Sequence, residues 1–290
     1  MEKMKIGFIG AGKVGCAFGR YLTERGLDVE GYYSRSILSC QSAADFTKTK
    51  VLSLEELILS CDYIFITTPD NVISSLWESI KNFDLKGKSI FHMSGCLTTD
   101  VFCDAKKIGV FSYSLHPLYP FTDRECYKYL KDVIFSVEGE NINNIKSFLD
   151  LAGLKYFLID KNDKAKYHAA AVFASNYIVS LAKISKEILL ECNMDEKFIV
   201  DAIYPLMQGA ILNIKEKGVE DSLTGPIVRG DYNTIKLHLD SIEKYKEIYK
   251  SLGLTALNIE MEKLKRCKDE DCMEKMEKLN KIEKMLRGDK

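Results

Sequence analysis

A chain of 290 residues is long enough for two domains of ordinary size. Its 41 basic and 42 acidic side chains leave a formal charge of −1, so no basic surplus exists to recruit nucleic acid or an anionic membrane surface. No apolar run approaches the ~18 residues of a membrane span, and the N-terminus enters a strand without a signal-peptide core; with nine scattered cysteines and no zinc spacing, this predicts a cytoplasmic protein with free thiols and no metal.

The first element is a short apolar strand from Lys5 to Ile9, which runs directly into Gly10-Ala11-Gly12-Lys13-Val14-Gly15. A helix-forming stretch, Cys16 to Thr23, follows. Strand, glycine turn and helix in that order suit a dinucleotide pyrophosphate. Gly10 permits the tight turn, Gly12 lets backbone approach the phosphates, and Gly15 lets helix pack on strand. The free N–H groups of the first helical turn then face the anion. Leu27 to Tyr33 reads as the second strand, and it ends in Ser34-Arg35-Ser36 where an NAD enzyme would place an acid. Glu30, the nearest acid, lies mid-strand, roughly 10 Å short of the strand end. A guanidinium flanked by hydroxyls offers a 2′-phosphate several charge-assisted donors. The cofactor predicted is NADP(H).

Residues 37–48 can form a helix, and Val51-Leu52 a short strand. Ser53-Leu54-Glu55-Glu56 is a capping box that opens a helix ending near Ser60. Tyr63 to Thr67 is continuously apolar, as a strand buried on both faces requires. Thr68-Pro69-Asp70 follows it, with Asp70 placed to cap a helix from Val72 to Lys81. Strands at Ser89–Met93 and Val110–Ser114 end in Ser94-Gly95 and His116-Pro117. A strand (Val133–Val137), a helix (Ile142–Leu151) and a strand (Tyr156–Ile159) close this half. Alternation at this spacing predicts a parallel, doubly wound α/β sheet with right-handed crossovers. Ligands of such sheets lie beyond the carboxyl ends of the strands, where Thr68, Pro69, Ser94 and His116 stand.

Past Asn162 strand-like segments disappear. Lys164 to Cys192 is one long helical pattern, and further helices are predicted at 196–216, 232–249 and 255–267. The boundary is therefore set near residue 160, giving a Rossmann domain over 1–160 and an all-α domain over 161–290. The charged tail from Ile259, with Leu264, Met276, Leu279, Ile282 and Leu286 at helical spacings, reads as an amphipathic helix packing on its own domain.

Lys164 and His168 stand at i and i+4 and so project from one helix face. Carbonyl reduction needs a proton donor beside the oxygen that gains charge, and an ammonium or imidazolium supplies both field and proton. Asn176, eight residues beyond His168 and so about 80° round a continuous helix from it, could orient a substrate group. The loop Leu223 to Thr234 carries Arg229, an arginine able to clamp a carboxylate or phosphate, and Asp231, a helix cap. His238 and His92 read as structural histidines. Lys164, His168, His116 and Asn176 are thus the catalytic candidates, and Ser94 and Arg229 the substrate-binding ones.

The Gly10–Gly15 turn, Ser114-Leu115-His116-Pro117-Leu118, the Lys164…Tyr167-His168…Ser175-Asn176 helix and Leu223-Thr224-Gly225-Pro226…Arg229-Gly230-Asp231 together resemble proteins described as Rossmann-like with a DUF2520 domain. That group is similar to pyrroline-5-carboxylate reductase, 3-hydroxyisobutyrate dehydrogenase and ketopantoate reductase. In the last two a catalytic lysine is followed at i+4 by asparagine. Lys164 falls on the lysine position and His168 on the asparagine position, a departure that bears on the proton-transfer scheme. The resemblance implies an NADPH-dependent reductase of a small 2-oxo acid, with 2-dehydropantoate (ketopantoate) as the first specific candidate. An imine reductase of the pyrroline-5-carboxylate type, or a non-catalytic NADP sensor, is the alternative. It also implies a homodimer through the helical domain, which the apolar excess on 165–250 supports, with the Thr224–Asp231 loop near the partner's cleft.

Overall fold

The computed structural model describes residues 4–266 and 269–288, and the chain divides into two compact units, Met1–Asn176 and Tyr177–Lys290. The division falls after the helix that begins at Lys164, not before it.

In the first unit, β1 (Lys5–Ile9), α1 (Lys13–Glu24), β2 (Asp28–Tyr33), α2 (Ile37–Thr47), β3 (Lys50–Val51), α3 (Leu54–Ser60), β4 (Tyr63–Ile66) and α4 (Asp70–Ile80) alternate as the hydrophobic pattern requires. They are followed by β5 (Ser89–His92), β6 (Phe111–Pro117), β7 (Ile134–Gly139), α5 (Asn143–Leu151), β8 (Lys155–Leu158) and α6 (Lys164–Ala174). All eight strands form one sheet in the order β3-β2-β1-β4-β5-β6-β7-β8. The chain winds outward from β1 to β3, then returns to β4 on the other side. The strand ends of β1 and β4 therefore flank a topological switch point, where open α/β sheets bind ligands.

The sheet departs from the all-parallel expectation at one place: β7 runs antiparallel to β6, and β8 is parallel to β7. No helix carries the chain back across the sheet after β6. Residues 118–133 instead make a wide turn, with a 3₁₀ segment at Arg124–Tyr129, and Leu118 N–H donates to the Ile134 carbonyl at 3.0 Å.

Strand alternation separates two cores. Phe8, Phe65, Phe91 and Phe135 face one side with Phe18 and Phe148, and Ile9, Ile64, Ile66 and Ile90 face the other with Leu57 and Trp77. Phe65 and Phe91 stack with ring centroids 4.4 Å apart. Aromatic pairs of this kind add about 0.5–1.5 kcal/mol each beyond area burial.

The single helix predicted from Lys164 to Cys192 is two helices, α6 and α7 (Asn176–Glu191), broken at Ser175. The Ser175 hydroxyl donates back to the Ala171 carbonyl at 2.8 Å and also bonds Asn176 Oδ1 at 2.9 Å. Such side-chain bonds compete with the helical ladder.

The second unit holds most of α7, then α8 (Glu196–Lys217), α9 (Pro226–Arg229), α10 (Tyr232–Ser241), α11 (Lys246–Leu264) and α12 (Glu270–Arg287). Its core joins Ile235 and Leu239 of α10, Leu257 and Met261 of α11, and Leu279, Ile282 and Leu286 of α12. The charged tail is thus an amphipathic helix seated on its own domain. Helix α8 is different: of its described residues only Ile199 is buried, while Val200, Tyr204, Leu206 and Ile211 are exposed. Cys16, Cys40, Cys61 and Cys126 are buried free thiols. Cys272 is disulfide-bonded, contrary to the free-thiol expectation, and Cys267 lies outside the described residues.

Candidate functional site

The glycine turn is built around Thr67, at the end of β4. Gly10 adopts φ +116°, its N–H donates to the Tyr33 carbonyl at 2.8 Å, and its carbonyl accepts from the Thr67 hydroxyl at 2.9 Å. A Cβ on Gly15 would stand 2.4 Å from Thr67 Oγ1, so only glycine lets α1 approach the strand this closely. At Gly12 the nearest obstacle to a Cβ is 3.9 Å away; Gly12 is the N-cap of α1, makes no side-chain cap bond, and is followed by no acid in the first turn. The N–H groups of Lys13 and Val14 therefore meet an open groove without a competing carboxylate. That is a cradle for an anion.

This groove, a cavity of about 510 Å³, is lined by Gly10–Gly12, by Ser34 and Arg35 after β2, and by Thr67–Pro69 after β4. Arg35 is exposed at its rim. Ser36 is N-cap of α2, where its hydroxyl accepts from Ser39 N–H at 3.2 Å and bonds Ser39 Oγ at 3.0 Å. Ser39, which sequence reasoning missed, lines the groove itself. The Thr68 hydroxyl is buried with no hydrogen-bond partner. Pro69 occupies the N-cap of α4, the place expected for Asp70, and the Asp70 carboxylate accepts from the Ser94 hydroxyl at 2.6 Å.

Beyond β5 and β6 lies a second cluster. Lys164, the first residue of α6, is fully buried; its ammonium donates to Ser114 Oγ at 2.5 Å and to the Ser94 carbonyl at 3.3 Å. Burial pulls its pKa down to about 8, and the negative charges of Glu138, Cys96 and Asp70 resist that fall. His116, at the end of β6, bonds the Tyr167 hydroxyl through Nδ1 at 2.8 Å. Burial first, then the charges of Lys164 and His168, hold His116 near 4, so its imidazole is neutral at pH 7. His168 stands edge-on to His116 with centroids 6.0 Å apart, and its buried Nδ1 has no hydrogen-bond partner. Both rings converge on Gly95, where a Cβ would lie 2.5 Å from His168 Nδ1 and 2.9 Å from His116 Nε2.

A cavity of about 680 Å³ opens beside this cluster, walled by His116, Tyr119, Phe121, Tyr167 and His168 and reaching Asn176. Of the expected residues His116 and His168 line this cavity, whereas Lys164, one turn before His168 and bonded to Ser114 and Ser94, is buried and not among its walls. Asn176 reaches the same cavity from the start of α7, not from the face of α6. Ser94 takes part through its carbonyl, because its hydroxyl accepts from Cys96 and Leu97 N–H at 3.2 and 3.0 Å besides donating to Asp70. Arg229 belongs to the second unit and is exposed there, next to Asp231, which caps α10 through Thr234. His92 is the satisfied buried histidine anticipated: Nδ1 accepts from Ser94 N–H, and Nε2 bonds the Thr98 carbonyl. Ser114 and Tyr167 were passed over, although both sit inside the motifs that drew notice.

The chain matches the Rossmann-like domain family over residues 1–117 and DUF2520, a domain of unknown function, over residues 133–256. No curated protein matches it. Among solved structures, protein TM1727 from Thermotoga maritima is 28% identical, with 89% of this chain and 99% of that one covered at a TM-score of 0.73. The putative NADP oxidoreductase BF3122 from Bacteroides fragilis is 20% identical, covering 89% and 98% at 0.71. A pyrroline carboxylate reductase from Plasmodium falciparum with NADP bound is 17% identical, covering 99% of both chains at 0.60.

Proposed function

The chain belongs to the proteins that join a Rossmann-like domain to a DUF2520 domain, and on that premise we propose that it is an NADPH-dependent reductase of a small carbonyl compound. The observation that carries this reading is Lys164, a buried ammonium beside two imidazoles at the carboxyl edge of a dinucleotide-binding sheet.

The groove suits NADP in each part. The open α1 terminus and the side-chain-free approach at Gly12 fit the pyrophosphate, Arg35 with Ser34 and Ser39 fits a 2′-phosphate, and the orphan Thr68 hydroxyl awaits a polar partner. A bound nicotinamide supplies the hydride. Lys164 gives its Nζ proton to the carbonyl oxygen as hydride reaches the carbon, so C=O becomes CH–OH and the lysine is left as a neutral amine. A pKa of about 8 suits that task, since a donor matched to the working pH transfers its proton with little penalty. Neutral His116, fixed by Tyr167, and His168 hold the substrate's polar groups, with Asn176 at the cavity edge. The Ser94 turn is assigned to substrate positioning.

As specific substrate we favour a 2-oxo acid, ketopantoate first. Imine reduction is the second reading, on the fold shared with the Plasmodium enzyme. Lys164 argues against it, because an ammonium repels an imine that is already protonated. A non-catalytic NADP sensor would have no use for a buried lysine. The exposed apolar residues of α8 support a homodimer through the helical domain. Among the described residues no helix is long and apolar enough to cross a membrane.

The test follows NADPH absorbance with ketopantoate, other 2-oxo acids and pyrroline-5-carboxylate offered separately. Oxidation with a 2-oxo acid is the expected result. Turnover confined to imines would replace the carbonyl reading, and turnover with nothing would favour the sensor.

A further inference from the structure

Glu138 is a buried carboxylate that the mechanism above does not use. It lies on β7, is 6% exposed, and both of its oxygens are held by one residue: Thr99 N–H donates at 2.9 Å and the Thr99 hydroxyl at 2.7 Å. Both distances fall in the short range of donors to a carboxylate. In the antiparallel ladder of β6 and β7, Glu138 stands directly opposite Ser114. Residues so paired project from the same face of the sheet with Cβ atoms about 4.5–5.5 Å apart. Ser114 is the residue whose hydroxyl takes the Lys164 ammonium. The arrangement is therefore a layer: carboxylate, hydroxyl, ammonium.

Lys164 needs such a neighbour. Its hydrogen-bond partners, Ser114 Oγ and the Ser94 carbonyl, are both neutral, and a buried ammonium with only neutral partners tends to lose its proton. We propose that Glu138 is a positioning residue for Lys164, supplying from across the β6–β7 ladder the negative charge that lets the lysine be buried as an ammonium ion. Of the charges that act on Lys164, Glu138 is the largest supporting one; Cys96 and Asp70 add to it, while His92 and His116 on β5 and β6 stay neutral and His168 shares its helix. The proposal rests on the reductase reading for its effect on turnover, but not for its effect on Lys164.

The test is therefore made without substrate or cofactor. Full-length protein carrying ¹³Cε-lysine is titrated by NMR, with the Lys164 resonance assigned by its loss in Lys164→Arg. Glu138→Gln keeps the shape, and the amide can still bond both Thr99 groups once the Thr99 hydroxyl turns round; only the charge is removed. We expect Lys164 to titrate about one to two units lower in Glu138→Gln than in the native chain, the size of effect that a neighbouring opposite charge has on a buried group. Glu138→Asp should restore most of the difference. An unchanged Lys164 titration in Glu138→Gln overturns the proposal. If that variant does not fold, Thr99→Val keeps the charge and loses one bond: Lys164 must then titrate as in the native chain, and a fall of a unit or more would assign the effect to loop packing and overturn the proposal as well. Absence of turnover by the native chain with every carbonyl offered would sink the reductase reading alone, and full turnover in Lys164→Ala would remove only the lysine from it; both leave this result standing.

Discussion

Lys164 opens α6, yet its ammonium is anchored fifty positions back in the chain, at 2.5 Å from the hydroxyl of Ser114 on β6. The bond draws the start of the helix down onto the strand ends and fixes the one polar group of the side chain. If that ammonium is the proton donor, Lys164→Ala should lose about 3–5 kcal/mol of transition-state stabilisation, or two to four decades in kcat/KM. NADPH affinity, measured by fluorescence titration, should be unchanged. Native turnover in this variant on the identified substrate would remove Lys164 from the mechanism.

The pH profile follows from the same group. Lys164 donates only when protonated, so kcat/KM should be level below about 8 and fall roughly tenfold per unit above it. His116, neutral down to about 4, adds no limb between pH 5 and 8. A rate that climbs through pH 8 would mean that the free amine is the working form.

Stability should carry the mark of Lys164 too. Its folded pKa is depressed from 10.5 to about 8, so between those values the unfolded chain binds more protons, and stability gains as pH rises through that window. Lys164→Met lacks the effect. The native chain should therefore gain on the variant by up to about 3 kcal/mol between pH 8 and 10.5, read from urea unfolding at pH 7.5 and 10. A difference that does not change with pH would show that folding leaves the Lys164 pKa at its unfolded value.

Arg35 tests the cofactor. Arg35→Ala removes one charge-assisted contact of roughly 1.5–3 kcal/mol, so NADPH should bind about ten- to a hundredfold more weakly while NADH changes little. Equal losses for both would place Arg35 on the pyrophosphate or in the fold.

The exposed face of α8 predicts a dimer. Light scattering at micromolar concentration should report twice the chain mass of 33.0 kDa, and Leu206→Glu, at a residue 75% exposed, should shift the species toward the monomer. A native chain that scatters as a monomer would leave α8 without a covering partner.

Most strands were legible because burial on both faces writes itself as continuous apolar runs, as in Tyr63–Ile66, and because the glycine turn and the Ser53–Glu56 capping box are local signals. What escaped was set by partners distant in sequence. The reversal of β7 depends on how residues 118–133 return, which no periodicity records. The break at Ser175 arises from a hydroxyl choosing a backbone carbonyl over solvent, inside a stretch whose apolar spacing runs on undisturbed. Ser36 and Ser94 were read as ligand-facing hydroxyls, and each is consumed by a turn. Lys164 and His168 were found because helical spacing is local; Ser114 and Glu138, which complete their surroundings, become neighbours only when β6 and β7 pair.

The groove for the dinucleotide is made from residues up to Leu76 and Ser79, whereas the lysine arrives with α6, after the last strand of the sheet has been laid down. Holding a nucleotide and acting on a second molecule are thus written in separate stretches of the chain, joined by contacts to Ser94 and Ser114. On the proposed mechanism, a mutation at one helix start would erase the chemistry and leave the nucleotide cradle whole. A sequence that keeps Gly10–Gly15 and Arg35 but has lost the lysine equivalent to Lys164 should be read as a nucleotide-binding protein first, whatever its resemblance to working reductases.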